Sequence, residues 1–86
     1  MHELSIAIEV CRQAEKRLGA RESRRLRKVA VAVGDDAGVE AANLAFCLDA
    51  LLGQPPFGGA TAHIDRCSGD VLRVDYYEVD DGDSDD

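Results

Sequence analysis

The first residues of this sequence hold its clearest set of metal donors. Met1 and His2 together offer three nitrogens, namely the α-amine, the main-chain nitrogen of His2 and its imidazole Nδ1. The amine and the amide close a five-membered chelate ring, and the amide and Nδ1 close a six-membered ring. This planar nitrogen set is typical of Ni(II) or Cu(II) sites. A fourth donor would come from Glu3, from a distant residue such as His63, or from solvent.

This chelate needs the free amino group of Met1. We expect Met1 to be retained, because the large side chain of His2 disfavours its removal. Protons compete with the metal for the amine and the imidazole, and we therefore expect the affinity to rise with pH. A single His after the first Met also occurs by chance, so the donor chemistry alone leaves a role in metal binding open.

Other features of the sequence argue against an enzyme. It contains no nucleophile elbow, no phosphate-binding glycine loop, no HExxH and no CxxC pair. Cys11 and Cys47 lie at helical spacing among apolar residues and are predicted to be core side chains, whereas Cys67 lies in a polar turn and is expected to be exposed. His63 is predicted to lie within a strand, at the surface or half-buried.

Length and charge place the chain in a broad class. Eighty-six residues, of which 45% are hydrophobic, suit one small domain. The sequence has no membrane-length apolar run and no signal-peptide pattern, so the expected compartment is the cytoplasm. Charge is uneven: residues 12–28 hold eight bases and two acids, and residues 80–86 hold five aspartates. We predict that residues 80–86 form a disordered acidic tail.

The basic segment 21–28 suggests nucleic-acid binding only weakly. It has no interleaved aromatic residues, and the acidic tail would compete with phosphate groups. A metal-binding role for the tail is likewise weaker than simple disorder.

Hydrophobic periodicity predicts two helices. The first covers residues 3–18 and ends at Gly19, followed by a basic connection over 20–27. Its predicted inward stripe is made of apolar side chains at three- and four-residue intervals, widened by Ile6 and Val10: Leu4, Ile8, Cys11, Ala14 and Leu18. The second covers about 40–52 and ends before Pro55 and Pro56.

Alternation of side chains predicts three strands, over 29–33, about 59–65 and 71–79. The order is α-β-α-β-β, which predicts an α+β fold with a three-stranded mixed sheet covered by the two helices. A right-handed crossover should make the first two strands parallel, and a turn at 67–70 should pair the last two strands with each other. Alanines between the valines of the first strand suggest that a helix packs closely on that face.

The opening Met1-His2-Glu3-Leu4-Ser5, at the start of an amphipathic helix, resembles the HypA/HybF family of nickel-insertion accessory proteins for [NiFe]-hydrogenase and urease. The likeness continues in order through most of residues 1–79, which we interpret as a nickel-binding domain. It includes the strand and glycine at 29–34, the second helix from Gly38-Val39-Glu40, and the last two strands.

The resemblance implies a nickel site at Met1, His2 and Glu3, through the amine, backbone nitrogens and the imidazole. Glu40, near the start of the second helix, is a candidate neighbour of that site, although an acid there also favours the helix dipole. The family's zinc module, with its two cysteine pairs, is missing between Asp65 and Ser68, so no zinc is expected.

The resemblance also implies two partners, a HypB-type GTPase and the hydrogenase large-subunit precursor. Function then has two readings. The first is a nickel metallochaperone for hydrogenase maturation. The alternative is a metal-independent adaptor that docks on maturation proteins through its sheet edge or its basic helix end.

Overall fold

The computed structural model describes residues 2–80, which form two helices and a three-stranded sheet. In chain order the elements are α1 (Glu3–Arg25), β1 (Leu26–Gly34), α2 (Ala41–Leu52), β2 (Thr61–Cys67) and β3 (Leu72–Val79). The predicted α+β class and the order α-β-α-β-β are confirmed. Met1 lies outside the described residues, as do residues 81–86 of the segment 80–86 for which disorder is predicted. Asp80 is described, and its N–H donates to the Arg25 carbonyl at 2.8 Å.

Helix α1 is longer than the sequence predicts. Gly19 has φ +78° and ψ 171° inside it, so the regular helix is interrupted at the glycine where an end was expected. Residues 20–25 then form a further helical stretch, and the prediction of an irregular basic connection is wrong there. Arg24 and Arg25 lie in the last turn, where positive charge favours the helix dipole.

The buried face of α1 is rotated from the predicted stripe. Ala7, Val10, Cys11 and Ala14 are buried, whereas Leu4 and Ile8 are 56% and 50% exposed. Both sets of positions recur at helical spacing, so periodicity alone does not choose between them. The small side chains of Ala7 and Ala14 allow closer packing, and Glu3 also faces inward. The prediction is therefore right for Val10, Cys11 and Ala14 and wrong for Leu4 and Ile8. Ile6 and Leu18 are half-buried and pack against the core.

Strand β1 is central in the sheet, in the order β2-β1-β3. It pairs in parallel with β2, with Val31 opposite Ile64, and antiparallel with β3, with Val31 opposite Val74. The mixed three-stranded sheet is confirmed, but the predicted pairing of the last two strands with each other is wrong. Strand β1 is the most apolar strand, and flanking it on both sides buries it more completely than an edge position would.

The two faces of β1 have different environments. Val29, Val31 and Val33 belong to the hydrophobic core together with Leu44 and Leu48 of α2. Ala30 and Ala32 point to the other face, where their register partners are polar or amphipathic: His63 and Tyr76 beside Ala30, and Asp65 and Arg73 beside Ala32. The expectation that a helix packs on the alanines is therefore wrong. Both alanines are nevertheless buried in the centre of the sheet.

The link between β2 and β3 crosses the end of β1 at Gly34. The Gly34 N–H donates to the Val71 carbonyl at 2.7 Å, and the Asp35 N–H donates to the Cys67 carbonyl at 2.8 Å. A Cβ on Gly34 would overlap the Gly69 carbonyl and lie 2.7 Å from the Val71 nitrogen. Cys67 is accordingly the last residue of β2 and half-buried, and not an exposed turn residue.

This close crossing predicts that Gly34→Ala destabilises the fold. The added methyl group must push the 69–71 main chain away from β1, which should cost about 1–3 kcal/mol, as overpacking does elsewhere. Gly53→Ala is the matched control, because its Cβ would lie 3.6 Å from the nearest atoms and its φ of −83° suits any residue. That control should change stability by less than about 1 kcal/mol. Denaturant unfolding measures both, and equal stabilities of the two variants would contradict this account.

Candidate metal centre

His2 lies at the start of α1 with its side chain exposed. It is the N-cap residue, and its carbonyl accepts a hydrogen bond from the Ile6 N–H at 3.0 Å. Its side chain makes no capping hydrogen bond to the helix. The imidazole is therefore not committed to holding the helix end, while the main chain of the same residue is fixed by it.

Glu3, the next residue, has the opposite environment. The residue as a whole is only 2% exposed. One carboxylate oxygen, Oε2, accepts the Glu40 N–H at 2.8 Å, and Oε1 accepts the Asn43 Nδ2 at 3.3 Å. Hydrogen bonding to the charged form lowers the pKa of the Glu3 carboxyl to about 2, while burial acts in the opposite direction. The carboxylate is therefore ionised at neutral pH.

The Glu3 carboxylate completes the N-terminal cap of α2. Glu40 is the N-cap residue, and its own carboxylate accepts the Asn43 N–H at 2.8 Å. In a capping box, a Glu or Gln three residues further on would accept the N–H of the cap residue. That position is Asn43 here, and Glu3 of the other helix accepts the N–H instead. One carboxylate thus lies at the first turn of two helices, where a negative charge is favourable.

Glu40 contacts Glu3 mainly through its role as the N-cap residue of α2. Its main-chain N–H contacts Glu3, and its side chain bonds within its own helix. The structure therefore brings the Glu40 main chain into contact with Glu3. The hydrogen bond from Asn43 to Glu3 was not predicted from the sequence. An acid followed three residues later by a polar side chain at a helix start was the available signal.

The other side chains of metal-ligand type are His63 and the three cysteines. They lie apart from one another or are already hydrogen-bonded or buried. His63 is exposed on β2, and its Nε2 lies 3.0 Å from Asp65 Oδ1. Cys11 is buried, which raises the pKa of its thiol to about 11, so it behaves as a small apolar side chain. Cys47 and Cys67 are half-buried, and all three cysteines are free thiols. Within residues 2–80, no group of three or more His, Cys, Asp or Glu side chains is placed to hold a metal ion.

Comparison with known protein families finds a match over residues 1–72, to the family described as HypA, hydrogenase/urease nickel incorporation, metallochaperone. The matched span runs from the amino terminus through both helices and the first two strands to the first residue of β3. A comparison with curated proteins found no match. Among the described residues, neither helix combines the length and apolarity needed to cross a bilayer.

The buried carboxylate predicts a specific effect of acid on stability. Because the pKa of Glu3 is lowered on folding, its stabilising contribution is present above the ordinary pKa near 4.5 and is lost as pH falls towards about 2. Glu3→Gln should therefore be less stable than the unmodified chain at pH 7, and the difference should shrink towards about pH 2.

Thermal unfolding across this pH range measures the difference, with Glu15→Gln as the control for an exposed acid on the same helix. A constant gap between Glu3→Gln and the unmodified chain from neutral to acid pH would show that the ionised carboxylate does not stabilise the fold.

Proposed function

Since this chain belongs to the HypA family of hydrogenase/urease nickel-incorporation metallochaperones, we propose that it binds Ni(II) at its amino terminus and supplies the ion during [NiFe]-hydrogenase maturation. The family consists of metal carriers rather than catalysts, so nickel is the cargo. The observation that carries the proposal is the contrast between neighbours: His2 is exposed at the start of α1, while Glu3 is buried and anchored.

The proposed donors are the α-amine of Met1, the main-chain nitrogen of His2 and His2 Nδ1. Among the candidates for a fourth donor, we favour solvent over the Glu3 carboxylate and over His63, which is bonded to Asp65 on β2. The carboxylate already accepts hydrogen bonds from Glu40 and Asn43, which a metal ion would have to displace. The main-chain nitrogen of Glu3 cannot complete the plane, because the amine and Nδ1 occupy both positions next to the His2 nitrogen, and a chelate ring through adjacent main-chain nitrogens needs one of those positions.

Glu3 then acts as a positioning residue. Its carboxylate fixes the start of α1 against α2, so the main chain that follows the first donors is already ordered before the ion arrives. A chelate built on an ordered main chain loses less conformational freedom on binding. Glu40 and Asn43 support this role from α2 and need not contact the ion.

The proposed partners are a HypB-type GTPase and the hydrogenase large-subunit precursor. Leu4 and Ile8 support docking of a protein next to the metal donors, because these large apolar side chains are exposed one turn apart on the helix that carries the site. Burial of both side chains by a partner would bring its own metal ligands close to His2.

Zinc is not part of the proposal, since the sequence lacks the two cysteine pairs of the family's zinc module. Metal analysis of the purified protein tests this point, and stoichiometric zinc would contradict it.

The nickel site predicts that His2→Ala lowers Ni(II) affinity by roughly 100-fold or more, since even groups that merely support a ligand are worth 10–100-fold. Isothermal titration of protein with a free Met1 amine measures this, together with the visible absorption of planar Ni(II). A chain extended by residues before Met1 should show the same loss. Affinity in the unmodified chain should rise with pH, because protons leave the amine and the imidazole.

His63→Ala is the matched control, since His63 is also an exposed histidine and is bonded to Asp65 on β2. It should bind Ni(II) as the unmodified chain does. Equal binding by His2→Ala and His63→Ala would overturn the N-terminal site.

The cellular role predicts that a strain producing the His2→Ala protein makes hydrogenase deficient in nickel. Hydrogenase activity and nickel content of the large subunit measure this, with the His63→Ala strain as the control. Normal nickel insertion in the His2→Ala strain would contradict the metallochaperone role and favour a metal-independent adaptor.

A further inference from the structure

Four arginines define a strongly positive region of the molecule, which we call the arginine surface: Arg21, Arg24, Arg25 and Arg27. The first three lie at helical spacing on the stretch that follows Gly19, so they share one side of it. Arg24, Arg25 and Arg27 also line a cleft of about 430 Å³, together with the glycine loop at 58–59 and Thr61. The Gly58 main chain packs directly on the Arg24 carbonyl, because a Cβ on Gly58 would lie 2.9 Å from that oxygen.

The positive charge of this surface is largely uncompensated within the described part of the chain. Among residues 2–80, Arg27 is the one member with an ion-pair partner, Asp80 at 3.6 Å. Helix-dipole stabilisation accounts for Arg24 and Arg25, which lie in the last turn of α1. It does not account for Arg21, one turn earlier, or for Arg27 on β1.

The chain leaves β3 at this same surface. The Asp80 N–H donates to the Arg25 carbonyl at 2.8 Å, and the Asp80 carboxylate faces Arg27. The next six residues carry four more aspartates, at positions 81, 83, 85 and 86. Six residues span at most about 20 Å even when fully extended, so these carboxylates cannot move far from the arginines.

We propose that the acidic segment 81–86 docks on the arginine surface of its own chain and shields it from other polyanions. Charge complementarity and the point at which the chain leaves β3 carry the inference. Each exposed ion pair is weak, but tethering provides an effective concentration in the millimolar range, so several weak pairs suffice. The contact is electrostatic and therefore weakens with salt. It is independent of the nickel site.

The test uses the full chain and a variant in which Asp81, Asp83, Asp85 and Asp86 are all changed to Asn. The matched control neutralises four exposed acids elsewhere, with Glu9→Gln, Glu15→Gln, Asp36→Asn and Asp70→Asn, so that both variants have the same net charge. NMR spectra of the main-chain amides and arginine Nε–H groups are recorded at low and high salt. Affinity for a synthetic hexa-aspartate peptide is measured under the same conditions.

The tail variant should shift the resonances of residues 21–27 at low salt and bind the peptide roughly threefold or more tightly than the control does, because the tethered competitor is gone. Both effects should disappear at high salt. In protein that also carries Arg21→Gln and Arg24→Gln, the tail substitutions should have little effect, which identifies the arginines as the docking site.

Two results would overturn the proposal. One is resonance changes confined to residues beyond Val79, together with equal peptide affinity in the tail variant and the control. The other is a dependence of the shifts on protein concentration, which would place the acidic segment on a second copy of the chain.

Discussion

The buried carboxylate of Glu3 is the contact on which the amino-terminal half of this molecule depends. It accepts hydrogen bonds from the main chain of Glu40 and the side chain of Asn43, and so joins the first turn of α1 to the first turn of α2. A carboxylate in this position must be paired, because a buried polar group without partners is costly. The start of α2 supplies these partners, and the first turns of both helices supply a favourable dipole field. The start of α1 is therefore held by the first turn of α2 rather than by a side chain of its own capping residue.

In the proposed nickel site, this anchor lets a small domain present metal donors, although the described residues hold no cluster of ligand side chains. Two adjacent residues at the helix start have different roles. Glu3 is buried and fixes the main chain, whereas the His2 imidazole is exposed to solvent. In the proposed site, most donors are main-chain atoms or lie next to them, so their spacing is fixed by covalent geometry and needs no long-range assembly. Such a site binds from one side and leaves the ion accessible, which suits delivery of a cargo ion better than permanent storage.

Much of the fold could be predicted from the sequence, and the failures have identifiable causes. Helix α2, the three strands and the interruption at Gly19 follow from local patterns of apolar residues, glycines and prolines. The buried face of α1 could not be chosen, because the decision depends on Ala7 and on the inward turn of Glu3, which are tertiary effects. Strand pairing was also beyond local reasoning, since the short link after Cys67 crosses β1 only because Gly34 admits it. At the candidate site, the donor atoms could be read from three residues, but the anchoring role of Asn43 could not.

The nickel-edge X-ray absorption spectrum of the one-to-one Ni(II) complex tests the central claim most directly, because it reports the atoms around the ion. We expect a planar, four-coordinate shell with three nitrogen donors, one of them an imidazole, one solvent oxygen and no sulfur. A spectrum dominated by thiolate sulfur, or by six oxygen-rich ligands, would contradict this expectation, because neither shell can be built from the amine, the main-chain nitrogen and the imidazole of Met1 and His2.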